Sequence, residues 1–125
     1  LNTKNGLLEW FLGSEGGNIE GYTNAIFSGF PTIVLAHILV KVLVKFQKLS
    51  GIWHIASDPI SKYDLLQLIA IEYGLHINIK PFADFSEDRS LDSGRFRNET
   101  DIIPPKWPEL IRIMKEDPTP YTNWR

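Results

Sequence analysis

The alternation of apolar and polar side chains divides the chain into short helices and strands. Apolar residues three and four apart, the spacing of an amphipathic helix, predict helices at about 5–12, 31–47 and 61–74, with a last one beginning near Trp107 or Pro108. β-forming runs predict extended segments at 18–22, 24–30, 51–57 and 76–82. A turn is expected near Thr23 and Asn24, and the charged stretch 83–100 is predicted to be a loop. This order of elements predicts a small α+β domain of mixed helices and short strands.

The third helix has the clearest end signals in the chain. Ser61 is predicted as its N-cap residue, and Asp64 stands three positions later, as in a capping box. Gly74 then follows the last turn, where glycine readily takes the left-handed conformation that ends many helices. The sequence therefore predicts a helix bounded by Ser61 and Gly74.

The second helix, 31–47, is apolar over an unusually wide arc. Its polar side chains His37, Lys41 and Lys45, with Lys48 just beyond, are spaced by four, four and three residues and form one narrow stripe. A domain of this size has few elements with which to cover the rest of the helix. Two interpretations follow: a central core helix, or a helix with part of its surface against an element outside this chain.

Composition limits the classes of function. With 125 residues and 43% hydrophobic content, the chain is expected to form one domain. Its formal net charge of −2 argues against nucleic-acid binding, which needs an excess of basic residues on one face. It contains no cysteine, which excludes disulfides and thiolate zinc sites and favours a reducing, cytoplasmic location. The most apolar run is interrupted by His37 and Lys41 and falls short of the roughly 20 residues that span a bilayer.

Familiar catalytic motifs are missing from the sequence. It has no complete glycine fingerprint for a dinucleotide, no Walker A sequence and no Tyr-x-x-x-Lys. Its three histidines lack the spacing of metal ligands, so no metal site is predicted. Because the first residue is Leu rather than Met, we expect a piece of a longer protein, and no catalytic residue is assigned within it.

The stretch DRSLDSGRFR, residues 88–97, is the densest charged feature. It holds three of the five arginines, and forked guanidinium groups beside Ser90, Ser93 and Gly94 suit the oxygens of a diphosphate. The alternative is that Asp88, Asp92 and Glu99 pair with these arginines and only fasten a surface loop. Local sequence leaves both interpretations open.

Three segments, in this order, carry a resemblance to a known family: GYTNAIFSGFPTIVLAHIL, GIWHIASDPISKYDLLQLIA and DRSLDSGRF. Together they resemble the C-terminal part of extended short-chain dehydrogenase/reductases, and among these the chain is most similar to the dTDP-4-dehydrorhamnose reductase family. The resemblance runs from about Gly6 to Met114. It implies a substrate-binding domain that lacks the Rossmann domain, with NAD(P) held by that missing N-terminal domain, and it is compatible with a homo-oligomer.

The resemblance also implies positions for a nucleotide-sugar substrate. The arginine-rich stretch would approach the diphosphate, with Arg89 matching the family pattern best, Ser93 beside it, and Arg95 lacking a secure counterpart. The extended segment containing Tyr22, Asn24 and Phe27 would line the sugar end of the cleft. Where the family often has Arg-Pro-x-x-Ser, this chain has Arg-Ser-Leu-Asp-Ser, so the contact itself is left open.

Two other functions fit the same sequence. Some proteins of this reductase type are non-catalytic regulatory subunits that bind another protein. The chain could also be an independent α+β domain that shares only the fold, since architecture alone does not carry function.

Overall fold

A computed structural model describes residues 7–118 of the chain, and its secondary structure is five helices and three strands within that range. In chain order they are α1 Leu7–Leu12, β1 Asn18–Phe27, α2 Thr32–Lys45, β2 Ile60–Ser61, α3 Lys62–Tyr73, β3 Asn78–Asp88, α4 Gly94–Thr100 and α5 Trp107–Glu116. The mixed composition agrees with the predicted α+β class. Residues 5 and 6 of the first predicted helix lie outside the described range.

The strands form one sheet in the order β2-β1-β3. β1 pairs in parallel with β3 from Asn18 opposite Asn78 to Ile26 opposite Asp88, and antiparallel with the short β2. Gly21 lies where α3 crosses β1, and a Cβ added there would be 2.7 Å from Tyr63 Cδ2. Glycine therefore permits the close approach of helix and sheet at this point.

The core lies between this sheet and the helices that cover it. Its fully buried side chains include Phe11 of α1, Leu66 of α3, and Leu110 and Ile111 of α5. α3 packs against both β1 and α5. The ends of α3 are as predicted: Ser61 Oγ accepts a hydrogen bond from the Asp64 amide at 3.1 Å, and Gly74 has a φ of 65°.

The two strands predicted at 18–22 and 24–30 are instead one continuous strand. The turn predicted near Thr23 and Asn24 is wrong: the parallel pairing with β3 passes through this point with a register shift between Tyr22 and Asn24. Asn24 Nδ2 donates to the Ala83 carbonyl at 3.2 Å across this irregularity. Cross-strand pairing thus keeps extended a sequence whose local residues favour a turn.

The charged stretch 83–100 is not a loop throughout. β3 continues to Asp88 because β1 supplies backbone partners along its length, although most of its side chains are exposed. Residues 94–100 form α4, which buries Phe96 and Thr100. This helix of 7 residues, with two buried side chains one turn apart, is too short to give a clear helical period in the sequence.

The strand predicted at 51–57 is absent from the sheet, although the segment is not helical either.

α2 differs from an ordinary core helix because part of its apolar surface is exposed. It buries Val34 and Ile38, whereas Val40, Leu43 and Val44 are 58%, 71% and 66% exposed. The wide apolar arc predicted from sequence therefore faces outward in part. None of the helices within residues 7–118 has the length and apolar character needed to cross a membrane.

Candidate functional site

An open polar cleft of about 390 Å³ separates two segments of the chain. One wall is the segment Ser57, Asp58 and Pro59, which connects the end of the stretch 51–57 to β2. The other wall is the arginine-rich stretch between the end of β3 and the first turn of α4: Ser90, Leu91, Asp92, Ser93, Gly94 and Arg97. The arginine-rich stretch predicted as a binding region therefore forms one side of this polar cleft.

Asp58 connects the two walls to α5. Its carboxylate accepts from Arg97 Nη1 at 3.0 Å and from Lys106 Nζ at 2.9 Å, while its carbonyl oxygen accepts from Trp107 Nε1 at 2.7 Å. Hydrogen bonds from Lys106 and then Arg97 lower the pKa of Asp58 below its ordinary value. The carboxylate is thus held ionised and fixes the position of Arg97 in the cleft.

Arg97 is the arginine that lines the cleft. Its Nη2 donates to the Ala56 carbonyl at 2.9 Å, and its Nε is buried without a hydrogen-bond partner in the described part of the chain. A buried donor without a hydrogen-bond partner lowers the stability of the folded state. The Nε–H group of Arg97 is such a donor, and this guanidinium therefore retains unused hydrogen-bonding capacity. Arg97 is one of the three clustered arginines, but a substrate-binding role was predicted only for Arg89 and Arg95. No role was predicted for Asp58, whose only local signal is its position before Pro59, directly after a predicted strand.

Ser93 lies at the base of the cleft and is only 6% exposed. Its hydroxyl donates to the His54 carbonyl at 2.9 Å and accepts from the Ala56 amide at 3.2 Å. Both functions of the hydroxyl are therefore committed to the backbone of the neighbouring segment. In this conformation Ser93 contributes to the shape of the cleft by holding the neighbouring segment in place.

Arg89 directly precedes the cleft wall that begins at Ser90. Its amide donates to the Ile26 carbonyl at 2.8 Å, which fixes the backbone at the end of β3. Its side chain is 76% exposed, and within residues 7–118 the one interaction of its guanidinium is an ion pair with Glu87 at 2.6 Å. Exposed pairs of this kind contribute about 0–1 kcal/mol, so the guanidinium is available to an incoming anion at little cost.

Two of the three carboxylates proposed as alternative partners, Asp88 and Asp92, have other contacts. Asp88 accepts from the amide and hydroxyl of Ser90, which lowers its pKa. Asp92 accepts from the Gly94 amide at 2.8 Å. None of the arginine ion pairs found within residues 7–118 involves Asp88, Asp92 or Glu99. Arg97 instead binds Asp58 and the Ala56 carbonyl, Arg95 contacts the Ile52 carbonyl, and Arg89 pairs with Glu87.

Arg95 points away from the cleft. Its guanidinium carbon lies 4.1 Å from the centroid of the Trp53 ring, and Nη1 makes a long contact of 3.4 Å with the Ile52 carbonyl. A stacked guanidinium of this kind is typical of cation–π packing.

The other predicted substrate residues are divided between two places. The Tyr22 ring packs against Phe82 and Phe85, with centroids 5.5 and 5.1 Å away, and Asn24 lies near it at the register shift of β1. Phe27 packs edge-on to Trp107 at 5.8 Å and lines a separate apolar cavity of about 200 Å³. The structure therefore brings Ser93 into the cleft and Arg89 to its border, and it places Arg95, Tyr22, Asn24 and Phe27 elsewhere.

Anion binding is the chemistry that the cleft supports best. The donors suited to phosphate oxygens are the guanidinium groups of Arg97, which Asp58 fixes, and of the exposed Arg89 at the border. The hydroxyls of Ser57 and Ser90 already donate to the Gly29 carbonyl and to Asp88. Nowhere in residues 7–118 do three or more potential metal-ligating side chains come together.

Comparison with known proteins places this arrangement in a recognised fold. No family model matches the sequence, and no curated protein matches it either. Solved structures do match. A dTDP-4-dehydrorhamnose reductase from Bacillus anthracis in complex with NADP has a TM-score of 0.74 at 16% identity, over 91% of this chain and 43% of the reductase.

Two further solved structures also match most of this chain. A dTDP-4-dehydrorhamnose reductase from Clostridium acetobutylicum matches 93% of this chain and 45% of its own length, with a TM-score of 0.74 and 16% identity. A dTDP-glucose 4,6-dehydratase from Bacillus anthracis in complex with NAD matches 98% of this chain and 43% of its own, with a TM-score of 0.61 and 11% identity. The chain thus has a fold found in part of these nucleotide-sugar enzymes, and it spans less than half of their length.

Proposed function

We propose that this chain is the substrate-binding domain of an NAD(P)-dependent sugar-nucleotide reductase, with the nucleotide bound through the polar cleft and its arginine border. The observation that carries the proposal is the fold shared with dTDP-4-dehydrorhamnose reductases over about nine-tenths of the chain. In this proposal the chain belongs to a longer cytoplasmic protein, and an N-terminal Rossmann domain holds NAD(P). That cofactor supplies the hydride.

This chain's own residues would bind and orient the substrate. Arg89 would leave Glu87 and pair with a diphosphate oxygen, while Asp58 keeps Arg97 fixed beside it. Ser93 would act indirectly, because its hydroxyl holds the backbone that forms the opposite wall. Binding that fixes the substrate next to a cofactor lowers the barrier by positioning, since the orientation entropy is lost on binding rather than during reaction.

The sugar end of the substrate would extend toward β1. Tyr22, with Phe82 and Phe85 around it, offers apolar ring surface, and Asn24 offers an amide carbonyl oxygen besides the NH₂ group that already binds Ala83.

The test is turnover by the full-length polypeptide that contains this chain. We expect NADPH to be oxidised when a dTDP-linked 4-dehydro sugar is added and to remain reduced when dTDP alone is added. UDP-linked and GDP-linked 4-dehydro sugars in parallel would establish which nucleotide is preferred. A full-length protein that neither binds nor reduces any of these sugar nucleotides would contradict the proposal.

One observation favours a second function, that of a non-catalytic interaction module. The outward face of α2 is apolar and exposed, as a protein-binding surface would be. This alternative predicts that the full-length protein binds another protein while NADPH oxidation is absent with every sugar nucleotide.

A further inference from the structure

One face of the sheet is open to solvent along β1 and β3. Side chains alternate between the two faces of a strand, and Ile19 and Ile79 pack against the core. Their neighbours along each strand therefore lie on the opposite face, which we call the open face. The parallel register arranges six of these neighbours in three rows: Asn18 beside Asn78, Glu20 beside Lys80, and Tyr22 beside Phe82. The four residues of the first two rows are exposed.

The two polar rows have binding capacity that the described residues do not use. Asn78 Nδ2 donates to Asn18 Oδ1 at 2.9 Å. The NH₂ group of Asn18 and the side-chain oxygen of Asn78 have no further partner within residues 7–118. Glu20 and Lys80 are neighbours across the strands, yet none of the ion pairs in that range involves either of them. Each row thus offers a group and its complement: a donor beside an acceptor, and a carboxylate beside an ammonium group.

The third row is aromatic. The rings of Tyr22 and Phe82 are half-buried, and their centroids are 5.5 Å apart. Next to them, a shallow recess of about 400 Å³ is lined by the four polar residues and Ile19. An aromatic patch beside exposed polar side chains is typical of a surface that binds another protein.

The outer edge of β3 is a poor site for the addition of a strand. The Asn78 amide donates to the Gly17 carbonyl, so the backbone of Asn78 is directed toward β1. By alternation, the backbone groups of Ile79 and Pro81 are directed to the outer edge. Pro81 has no N–H group to offer there, and the charged Lys80 precedes it; both features discourage pairing at an edge. A partner of this sheet is therefore expected on the open face.

The rows are complementary to a second copy of themselves. When two such faces meet around a twofold axis parallel to the strands, β1 of each copy lies on β3 of the other at the same level. Glu20 then faces the partner's Lys80, the Asn18 NH₂ group faces the oxygen of the partner's Asn78, and the Tyr22 ring faces the partner's Phe82. A twofold axis across the strands at this row would instead bring Glu20 onto the partner's Glu20, where like charges repel. Face-to-face packing of two sheets about 10 Å apart is common in proteins.

We propose that the open face is an interface between two copies of this chain, packed around a twofold axis parallel to β1 and β3. Each complementary contact occurs twice, and the recess receives the Glu20 and Lys80 side chains of the partner. Asn24 and Phe85 follow the register shift and lie outside the three rows, where the sugar end of a substrate can still reach them.

The rest of a longer polypeptide fits this face less well than a second copy. An interface between identical copies uses the same residues on both sides, so it requires a group and its complement in each row. Packing between different domains of one chain has no such requirement. Exposed charged side chains also suit a surface that is solvated before two copies associate. This inference goes beyond the proposed function and does not depend on it.

Sedimentation equilibrium of the full-length polypeptide, without nucleotide or cofactor, tests this interface. We expect a monomer–dimer equilibrium at concentrations up to about 1 mM and at low ionic strength. Lys80→Glu places a second carboxylate opposite Glu20 at both symmetric contacts and should weaken the dimer at least about tenfold. Lys41→Glu makes the same charge change at an exposed position of α2 and should leave dimerisation unchanged. A protein that stays monomeric throughout would overturn the proposal, as would equal association of Lys80→Glu and the unmodified protein.

A mixture of two variants tests which residues face each other. Glu20→Lys leaves two ammonium groups in the row and Lys80→Glu leaves two carboxylates, so each variant alone should associate poorly. Mixed in equal amounts, they should form a heterodimer at least about tenfold tighter than either homodimer, because every ammonium group then faces a carboxylate. A mixture that associates no better than the separate variants would overturn the proposal. Because no ligand is present, dimerisation without sugar-nucleotide binding would reject the proposed function and retain this inference.

Discussion

Replacing Ser93 by alanine should destabilise the protein by about 2 kcal/mol, because one buried hydroxyl serves two backbone groups. The Ala56 amide belongs to a residue that is 1% exposed, and it would lose its acceptor in a place that water reaches poorly. Such an unsatisfied buried donor costs about 1–3 kcal/mol. The His54 carbonyl belongs to an exposed residue and can bind water, so its loss adds only about 0.5 kcal/mol.

Urea unfolding of Ser93→Ala measures this effect directly. For a slope of about 2 kcal/mol per M, the midpoint should fall by about 1 M with no change in slope. Ser90→Ala is the matched control, because the Ser90 hydroxyl binds only the exposed carboxylate of Asp88. We expect the control to shift stability by less than about 0.5 kcal/mol. Equal midpoints for Ser93→Ala and the unmodified protein would refute the role of Ser93 in holding segment 52–56.

Two further predictions follow from other contacts. Gly21→Ala should destabilise the protein by about 1–3 kcal/mol in the same assay, because the new methyl group would overlap Tyr63; an unchanged midpoint would show that α3 has room to move. Asp58→Asn should remove the ion pairs to Arg97 and Lys106. Because the pKa of Asp58 is lowered in the folded protein, the ionised carboxylate stabilises the fold above about pH 4. This stabilisation declines as the pH falls through the folded pKa. The stability difference between variant and unmodified protein should therefore shrink on acidification from about pH 6 to 3, and a difference independent of pH would contradict the assigned ionisation.

Local sequence signals predicted a helix correctly where the residues that end it belong to the helix or directly flank it. The cap at Ser61 and the glycine at Gly74 fixed α3, because those interactions involve residues close in sequence. For the apolar arc of α2 the sequence left two interpretations open, and the exposure of Leu43 and Val44 favours the one in which part of the helix is not covered by this domain.

Predictions from the sequence were wrong where the conformation of a segment depends on contacts with residues distant in the sequence. The expected turn near Thr23 is a register shift because β3, about sixty residues later, pairs with both sides of it. The strand predicted at 51–57 has strand-forming side chains, but no strand within residues 7–118 pairs with it. The role of Asp58 was not predicted for the same reason, because its partners Arg97 and Lys106 are 39 and 48 residues away in the sequence.

The proposal that this domain binds a nucleotide diphosphate is tested most directly by calorimetric titration of dTDP and UDP into the full-length polypeptide, with and without NADPH. Arg89→Ala should weaken the preferred nucleotide at least about tenfold, or about 1.4 kcal/mol. Arg112→Ala removes the same charge from α5, where Arg112 pairs with Glu109 and Glu116, and it should leave the affinity unchanged. Equal affinities for the unmodified protein and Arg89→Ala would contradict the role of the arginine border. Absence of binding by the unmodified protein would contradict the sugar-nucleotide function itself.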